Sequence, residues 1–393
     1  MHSALLRPAG GERHNPSMPA TSSSTDLMHM RRALALAESA LYLTSPNPRV
    51  GCVLVGSDGQ VLGEGHTQAV GQAHAEVMAL RDAAARGSKL KGATAYVTLE
   101  PCSHHGRTPP CCDALIEAGV SRVCVALEDP FPKVAGQGIA RLRAAGIVVD
   151  VGLLAAEASE LNIGFLHRIR TGRPWVRLKT AASLDGITAL PNGQSQWITS
   201  EQARNDGHHW RARSCAICTG VGTVLEDNPL LDVRAVNTPR QPPLVVIDSR
   251  LQTPIGAKLF LPQRPVWIAH AQSFLPHESH PCAPHALALQ AKGAQLIAHP
   301  NSAGKVSLPD LLDELGQRQI NELHLEAGRL LNTSFLREGL VDELLVYLAP
   351  ILLGQGSGLT ALGPFDSLSQ GLAWRHVEGQ PIGPDLRLRL RRA

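Results

Sequence analysis

Aromatic residues are scarce in this chain. Phe, Trp and Tyr make up 4% of its 393 residues, too few for the stacking platforms that hold unpaired bases. Excess charge is missing as well: 37 Lys and Arg face 34 Asp and Glu, a net charge of +3. Such a balance argues against a nucleic-acid surface. No apolar run approaches the roughly 18 residues that a membrane span needs. The most apolar stretch, Leu344 to Leu353, is short and holds Pro350. Residues 1–25 lack the charged-then-apolar order of a signal peptide and are rich in Ser, Pro, Gly and Thr. They read as a disordered leader, with Met28 as a candidate start. Without a signal peptide, the eight cysteines are expected as reduced thiols in the cytoplasm. That turns attention from disulfides to metal binding and catalysis.

What is present alternates. Asp26 to Leu43 reads as a helix capped by Asp26, with Leu27, Met30, Leu34, Ala37 and Leu41 along one stripe. SPNP (Ser45 to Pro48) stops it. VGCVLVGSDGQVLGEG reads as a hairpin turning at Asp58-Gly59. HAEVMALRDAAARG is a helix ending at Gly87, Ala93 to Glu100 a strand, and CDALIEAG a helix closed by Gly119. Strands at SRVCVALED and IVVDVG follow, with helices at IARLRAAG and near Ala155 to Ile169. This order predicts an α/β domain with helices packed on a sheet. TGRP (Thr171 to Pro174) breaks the pattern and sets the expected division into 26–172 and 173–393. Beyond it, strands at WVRLKTA, LVVIDS, PVWIAH, ELHLEAG and DELLVYLAP alternate with helices at LPDLLDELGQ and LLNTSFLREG. No internal repeat appears.

The stretch PCSHHGRTPPCC (Pro101 to Cys112) has almost nothing apolar to bury. Its ends suggest what holds it. H-A-E (His74 to Glu76) opens a helix, Pro101 and Cys102 follow a strand, and Cys111 opens the next helix. This order approximates the zinc-deaminase pattern H-x-E then P-C-x-x-C, with a longer gap between the cysteines. A metal tied to both ends would order the loop without a core. One imidazole and two thiolates leave a fourth position for water, the catalytic arrangement; structural sites usually use four protein ligands. Zinc brings the pKa of bound water to about 7. Glu76 is then placed to take its proton, protonate a ring nitrogen and help ammonia leave. Positions i and i+2 of a helix face different ways, so His74 is expected at the cap, in non-helical geometry. Cys112 is an alternative to Cys111, and His104 and His105 compete as ligands. The reading preferred here puts these two histidines on the pocket wall beside Arg107, which suits a phosphate. Cys215 and Cys218, in an apolar strand-like run, read as core. Cys52, Cys124 and Cys282 read as core or surface thiols.

Taken together, HAEVMALR, ATAYVTLEPCSHHGRTPPCCDALIEAG, LKTAASLDG, SQWITS and LHLEAG resemble the bifunctional riboflavin-biosynthesis deaminase–reductases. The likeness runs from Asp26 to the C-terminus, and the long PCSHHGRTPPC loop is specific to it. The resemblance implies an α/β chain: a cytidine-deaminase-like zinc domain, then a dihydrofolate-reductase-like domain. It implies deamination of 2,5-diamino-6-ribosylamino-4(3H)-pyrimidinone 5′-phosphate, then NADPH-dependent reduction of the ribosyl group to ribityl. It implies Zn2+ on His74, Cys102 and Cys111, Glu76 as proton shuttle, and Asn47 on the substrate. In the second half it implies Ala181, Trp197, Thr223, Asp227 and Ser249 at NADPH. Gly328, Arg329, Leu330, Leu331, Asn332, Thr333 and Ser334 would meet the phosphates of NADPH. Ser195, Arg211, Leu231, Arg234 and Glu326 would touch the substrate, two arginines suiting its phosphate. A homo-oligomer acting on a small phosphorylated pyrimidine, with no nucleic-acid or membrane partner, completes the expectation.

A dihydrofolate-reductase-like fold fits the lack of a G-x-G-x-x-G after a strand. The helix start after EAG (Glu326 to Gly328) is the better phosphate site, because free backbone N–H groups gather there. LLGQGSG (Leu352 to Gly358) reads as a turn. Lys179 and Asp185 are polar candidates near the reacting carbon. Two features depart from the family. GEGHTQ has His66 then Thr67 where an aromatic then His is usual, and Arg329 is bulkier than expected. Two rival readings remain. One is a nucleic-acid or free-base zinc deaminase with a non-catalytic C-terminal domain. Even charge, few aromatics and the long cysteine spacing count against it. The other is a binding protein with structural zinc, against which stand Glu76 and the lack of an evident fourth ligand.

Overall fold

A computed structural model describes residues 23–103, 110–131, 135–272 and 282–393. The first part of the chain forms α1 (Ser24–Ser39), β1 (Gly51–Val55), β2 (Val61–His66), α2 (Ala75–Ala85), β3 (Thr94–Val97) and α3 (Cys111–Glu117). β4 (Arg122–Val125), α4 (Gln137–Ala144), β5 (Val148–Val151), α5 (Ala155–Leu161) and α6 (Ile163–Thr171) follow. The strands make one sheet in the order β2-β1-β3-β4-β5. β1 runs antiparallel to β2 and β3, whereas β3, β4 and β5 are parallel. Helix α1 covers one face through Met30 and Ala33, and α2 covers the other through Ala75 and Ala79. β1 is therefore apolar and buried throughout.

The helix cap differs from the sequence reading. Ser23 caps α1 and forms a capping box with Asp26, which sits at the third helical position. The Asp26 carboxylate also accepts from Arg122 at 2.7 Å and from the Tyr96 hydroxyl at 2.6 Å. Helix α2 lies directly on β2. A Cβ at Gly65 would stand 2.5 Å from the Met78 Cβ, so the glycines of GEG let α2 approach and fix where its first turn points. The helix expected near Ala155 to Ile169 is two helices. They part at Asn162, whose amide makes two bonds with the Arg49 backbone, at 2.8 and 2.9 Å.

The second part begins with β6 (Trp175–Ser183), β7 (Ile187–Ala189), α7 (Glu201–Arg213), β8 (Ala216–Gly220), α8 (Val221–Asp227), β9 (Leu244–Ile247) and β10 (Val266–His270). It continues with α9 (Ala283–Ala291), β11 (Ala294–Ala298), α10 (Leu308–Gln317), β12 (Glu322–Leu325), α11 (Arg329–Arg337) and β13 (Glu343–Ala349). It closes with β14 (Ser357–Gly358), β15 (Trp374–Ile382) and β16 (Asp385–Arg392). The large sheet runs β11-β10-β9-β8-β12-β6-β13-β16-β15, with β7 and β14 as a separate pair. Neighbours from β11 to β13 are parallel, and the last hairpin is antiparallel. Cys215 and Cys218 are buried in the core of this sheet.

Charged groups join the two parts. Arg49 meets Glu322 at 2.7 Å, Arg213 meets Glu322 at 2.8 Å, and Arg177 reaches Glu322 and Glu343 at 2.9 and 2.6 Å. Glu160 on α5 pairs with Arg389 and Arg391 on β16. Burial pushes the Glu343 carboxyl up, but Arg177 and Arg389 outweigh it and hold it down at about 2. Buried charges persist only when paired this closely.

Candidate functional site

His74 is the N-cap of α2, with φ −75° and ψ 167°, the extended geometry the H-x-E spacing demands. Its Nδ1 lies 3.6 Å from the Cys102 Sγ and 3.3 Å from the Cys111 Sγ. The three ligand atoms lie within 4.8 Å of one another, and among the described residues no further His, Cys, Asp or Glu joins them. Cys111, the first residue of α3, faces His74; Cys112 turns its sulfur toward Asp113. A hydrogen bond with the Cys111 thiol holds the Cys102 thiol below its usual value, against burial. Cys111 itself is pushed up by its hydrogen bond to Cys102 and by burial. Glu76 is buried beside them, and burial, then Cys102, push its carboxyl up to about 7. One imidazole and two thiols are a donor set that fits zinc.

Nearby residues settle some open points. Thr67 is buried and donates to the Val50 carbonyl at 3.4 Å. His66, half-buried at the end of β2, is the more open of the pair, and burial keeps its imidazole below the usual value. Asn47 lies in the loop before β1, its N–H on the Thr44 carbonyl at 2.7 Å. That loop sits at the metal end of the sheet, because Cys52 of β1 pairs with Val97 at the end of β3. His104, His105 and Arg107 lie outside the described residues.

A cleft of about 1800 Å³ opens where β6, β8 and β12 end, the usual binding edge of a parallel sheet. Ala181, Trp197, Thr223, Asp227 and Gly328 to Asn332 line it, as do Ser195, Arg211, Leu231, Arg234 and Glu326. Ser249, Thr333 and Ser334 do not reach its wall. The Ser249 hydroxyl accepts from the Val306 N–H, and the Thr333 and Ser334 hydroxyls donate to carbonyls of their own helix. Gly328 caps α11, so that helix starts at the cleft. Asp185 ties LLGQGSG in place by accepting from the Leu353 and Gly354 N–H groups, and Gln355 to Ser357 join the wall.

Glu326 is the hub of this cleft. It accepts from Arg211 at 2.5 and 2.9 Å, and its carboxylate stands 3.1 Å from His324 and 3.6 Å from Lys179. Burial pushes it up, but Arg211 and Lys179 outweigh that and hold it well below the carboxylate range. The Arg211 Nη1 donates to the Asp232 carbonyl at 3.0 Å. Each of its guanidinium nitrogens thus has a protein partner, while Arg234, paired with Asp232 at 2.5 Å, keeps a side chain that is 55% exposed.

Residues 174–388 match the RibD C-terminal domain, and residues 23–127 match the cytidine and deoxycytidylate deaminase zinc-binding region. Riboflavin biosynthesis protein RibD of Escherichia coli (strain K12) is 46% identical over 379 residues, 93% of this chain and 99% of its own. The chain belongs to the RibD family. The Haemophilus influenzae RibD protein is 44% identical, over 93% of this chain and 97% of its own. Acinetobacter baumannii RibD superposes with a TM-score of 0.83 at 41% identity, covering 94% of this chain and 99% of that one. A Thermotoga maritima diaminohydroxyphosphoribosylaminopyrimidine deaminase/5-amino-6-(5-phosphoribosylamino)uracil reductase gives 0.82 at 31% identity, with the same coverage. The expected architecture, a deaminase-like zinc domain followed by a reductase domain, is therefore present. Among the described residues no helix is long and apolar enough to cross a membrane.

This RibD chain also uses residues that sequence reasoning passed over. Glu100, one step before Pro101 and Cys102, accepts four backbone N–H groups, from Asp129, Gly136, Gly138 and Ile139, at 2.9 to 3.1 Å. It fastens the Cys102 turn to the start of α4. Nothing in the local pattern TLEPC announces a carboxylate turned inward on backbone donors. Tyr347, read only as part of a strand, bonds Asp206 at 2.5 Å and lies 5.8 Å below the Lys179 ammonium.

Proposed function

We propose that this chain performs two successive steps of riboflavin biosynthesis. The first is hydrolytic deamination of 2,5-diamino-6-ribosylamino-4(3H)-pyrimidinone 5′-phosphate. The second is NADPH-dependent reduction of the ribosyl group to ribityl. The observation that carries the reading is the meeting of His74, Cys102 and Cys111 beside a buried Glu76, in a chain that also holds the reductase cleft. Those three side chains would hold Zn2+, which when bound makes water acidic enough to act near neutrality. Glu76 would take one proton of that water and hand it to the ring nitrogen, then carry the second, released as the added hydroxyl becomes a carbonyl, to the departing ammonia. Asn47 binds the substrate from the loop before β1.

In the second half, Ala181, Trp197, Thr223 and Asp227 frame the NADPH site. The start of α11, with Arg329 beside it, receives the phosphates of NADPH. NADPH brings the hydride, so the protein's part is to orient the two reactants. Ser195, Leu231 and Arg234 face the substrate, with Arg234 on its phosphate. Glu326 keeps Arg211 and Lys179 aimed across the cleft. The two catalytic units divide at 172/173, after α6 ends and before β6 begins. The reading extends to a cytoplasmic homo-oligomer with no nucleic-acid or membrane partner, which the even charge favours.

The test is to give purified, zinc-loaded protein the diaminopyrimidine ribosylamino phosphate and follow ammonia and NADPH. Ammonia without added NADPH, and NADPH loss only after ammonia release, are expected. No ammonia at all overturns the reading.

A further inference from the structure

The loop that carries Asn47 is held from the far side of the molecule. Pro46 offers its carbonyl to the Asn321 Nδ2, at 2.8 Å. Arg49 sends one guanidinium nitrogen to Glu322 at 2.7 Å and to the Leu161 carbonyl at 2.8 Å, and the other to the Arg213 carbonyl at 3.1 Å. Asn321 and Glu322 stand where β12 of the large sheet begins. Asn321 is itself fixed: its Oδ1 accepts from Arg168 at 2.6 Å, and its carbonyl accepts from the Trp175 N–H at 2.8 Å. Helix α6 presses on this point so closely that a Cβ at Gly164 would lie 2.3 Å from the Glu322 Cγ. Loop 45–49 is therefore bonded near both ends to reductase-half residues, Asn321 at Pro46 and Glu322 and Arg213 at Arg49.

Past the loop, the chain enters β1 beside the strand end that leads to the metal ligands. The Val50 carbonyl accepts from the Thr67 N–H, and the Gly51 N–H donates to the Thr98 hydroxyl, just ahead of Glu100 and Cys102. A loop pinned at its two ends has its middle placed for it. Asn47 is that middle.

We infer that Asn321, in the reductase half, is a positioning residue for the deamination reaction, setting through Pro46 the loop that offers Asn47 to the substrate. The inference rests on the functional reading above. It says that the first active site is completed by the second domain. A substitution in the reductase sheet should therefore be felt by ammonia release before it is felt by hydride transfer.

Asn321→Asp separates this role from a general one. The variant keeps an oxygen for Arg168 and places the other against the Pro46 carbonyl, where the donor is lost and two acceptors repel. The loss of one hydrogen bond predicts a rise in KM for deamination of about threefold to tenfold. The kcat for ammonia release, the zinc content and the reductase kinetics on deaminated substrate should stay near wild type. Asn321→Ala, which gives up both contacts, should show the same split if the aspartate variant does not fold. An unchanged deamination KM in folded, zinc-loaded variant overturns the inference. So does a parallel fall in both activities, which would mean a merely structural residue. Wild-type protein that releases no ammonia overturns the functional reading and this inference with it; a wild type that deaminates beside unaltered variants overturns the inference alone.

Discussion

The metal centre and the cleft are built by opposite means. At the metal centre, three side chains from the ends of α2, β3's following turn and α3 bring their ligand atoms within 4.8 Å. The cleft spreads over about 1800 Å³ and takes its wall from Lys179 through Leu359, much of it backbone and small side chains. A metal demands fixed donors at one point. A dinucleotide demands length, and a long site shares its binding among many weak contacts. Loss of one residue should be all-or-none in the first site and graded in the second.

Removing the metal is the severest way to press that contrast. Chelation, or Cys102→Ser, should take ammonia release to background while the protein still oxidises NADPH on deaminated substrate. Equal loss of both activities would show that the halves are not separable. Glu326→Gln comes next. It strands Arg211 and Lys179 beside the cleft, and breaking a buried pair destabilises by about 3 kcal/mol. Denaturant unfolding should report that loss, and reductase activity should fall while ammonia release persists. Trp197→Ala is milder. Trp197 is 66% exposed and stacks on Arg204 at 4.4 Å. Its removal should raise the NADPH KM about threefold, in line with one exposed cation–π contact, and leave kcat near wild type.

The smallest effect concerns acid. Burial, then Arg211 and Arg234, hold the His208 imidazole down at about 4, with Glu326 and Asp232 opposing them. An unfolded histidine titrates near about 6.5. Between these two values the unfolded chain binds a proton that the folded chain refuses, so stability falls as pH drops through that window and is untouched above it. His208→Gln should flatten the slope of melting temperature against pH there. A slope unchanged by the substitution would clear His208.

The same contrast explains what could be read from sequence. His74, Glu76, Cys102 and Cys111 were legible because zinc chemistry restricts both residue type and order, and each lies at an element end that caps and prolines announce. The reductase wall was reached only through resemblance, and there it was uneven. Ser249 and Thr333 have hydroxyls committed to local partners, which no motif shows. Arg211 was expected on a phosphate, yet its fork is closed by Glu326, over a hundred residues later. The break at Asn162 is likewise made by bonds to Arg49, invisible to helix periodicity. The hairpin of β15 and β16 escaped notice although LRLRL alternates. Its arginines, unlike ordinary strand exteriors, turn inward to Glu160, Glu343 and Asp206. The cap expected at Asp26 falls instead on Ser23, because the two side chains exchange bonds with each other's backbone N–H in a capping box.

The most direct test of the two-site account is Glu76→Gln, given the diaminopyrimidine substrate together with NADPH. The account predicts a fall in ammonia release of about a thousandfold, the scale of general acid–base catalysis, and no NADPH oxidation. Deaminated substrate should restore NADPH oxidation at the wild-type rate. NADPH consumed by this variant without ammonia release would contradict the order of the two reactions, and undiminished ammonia release would remove Glu76 from the chemistry.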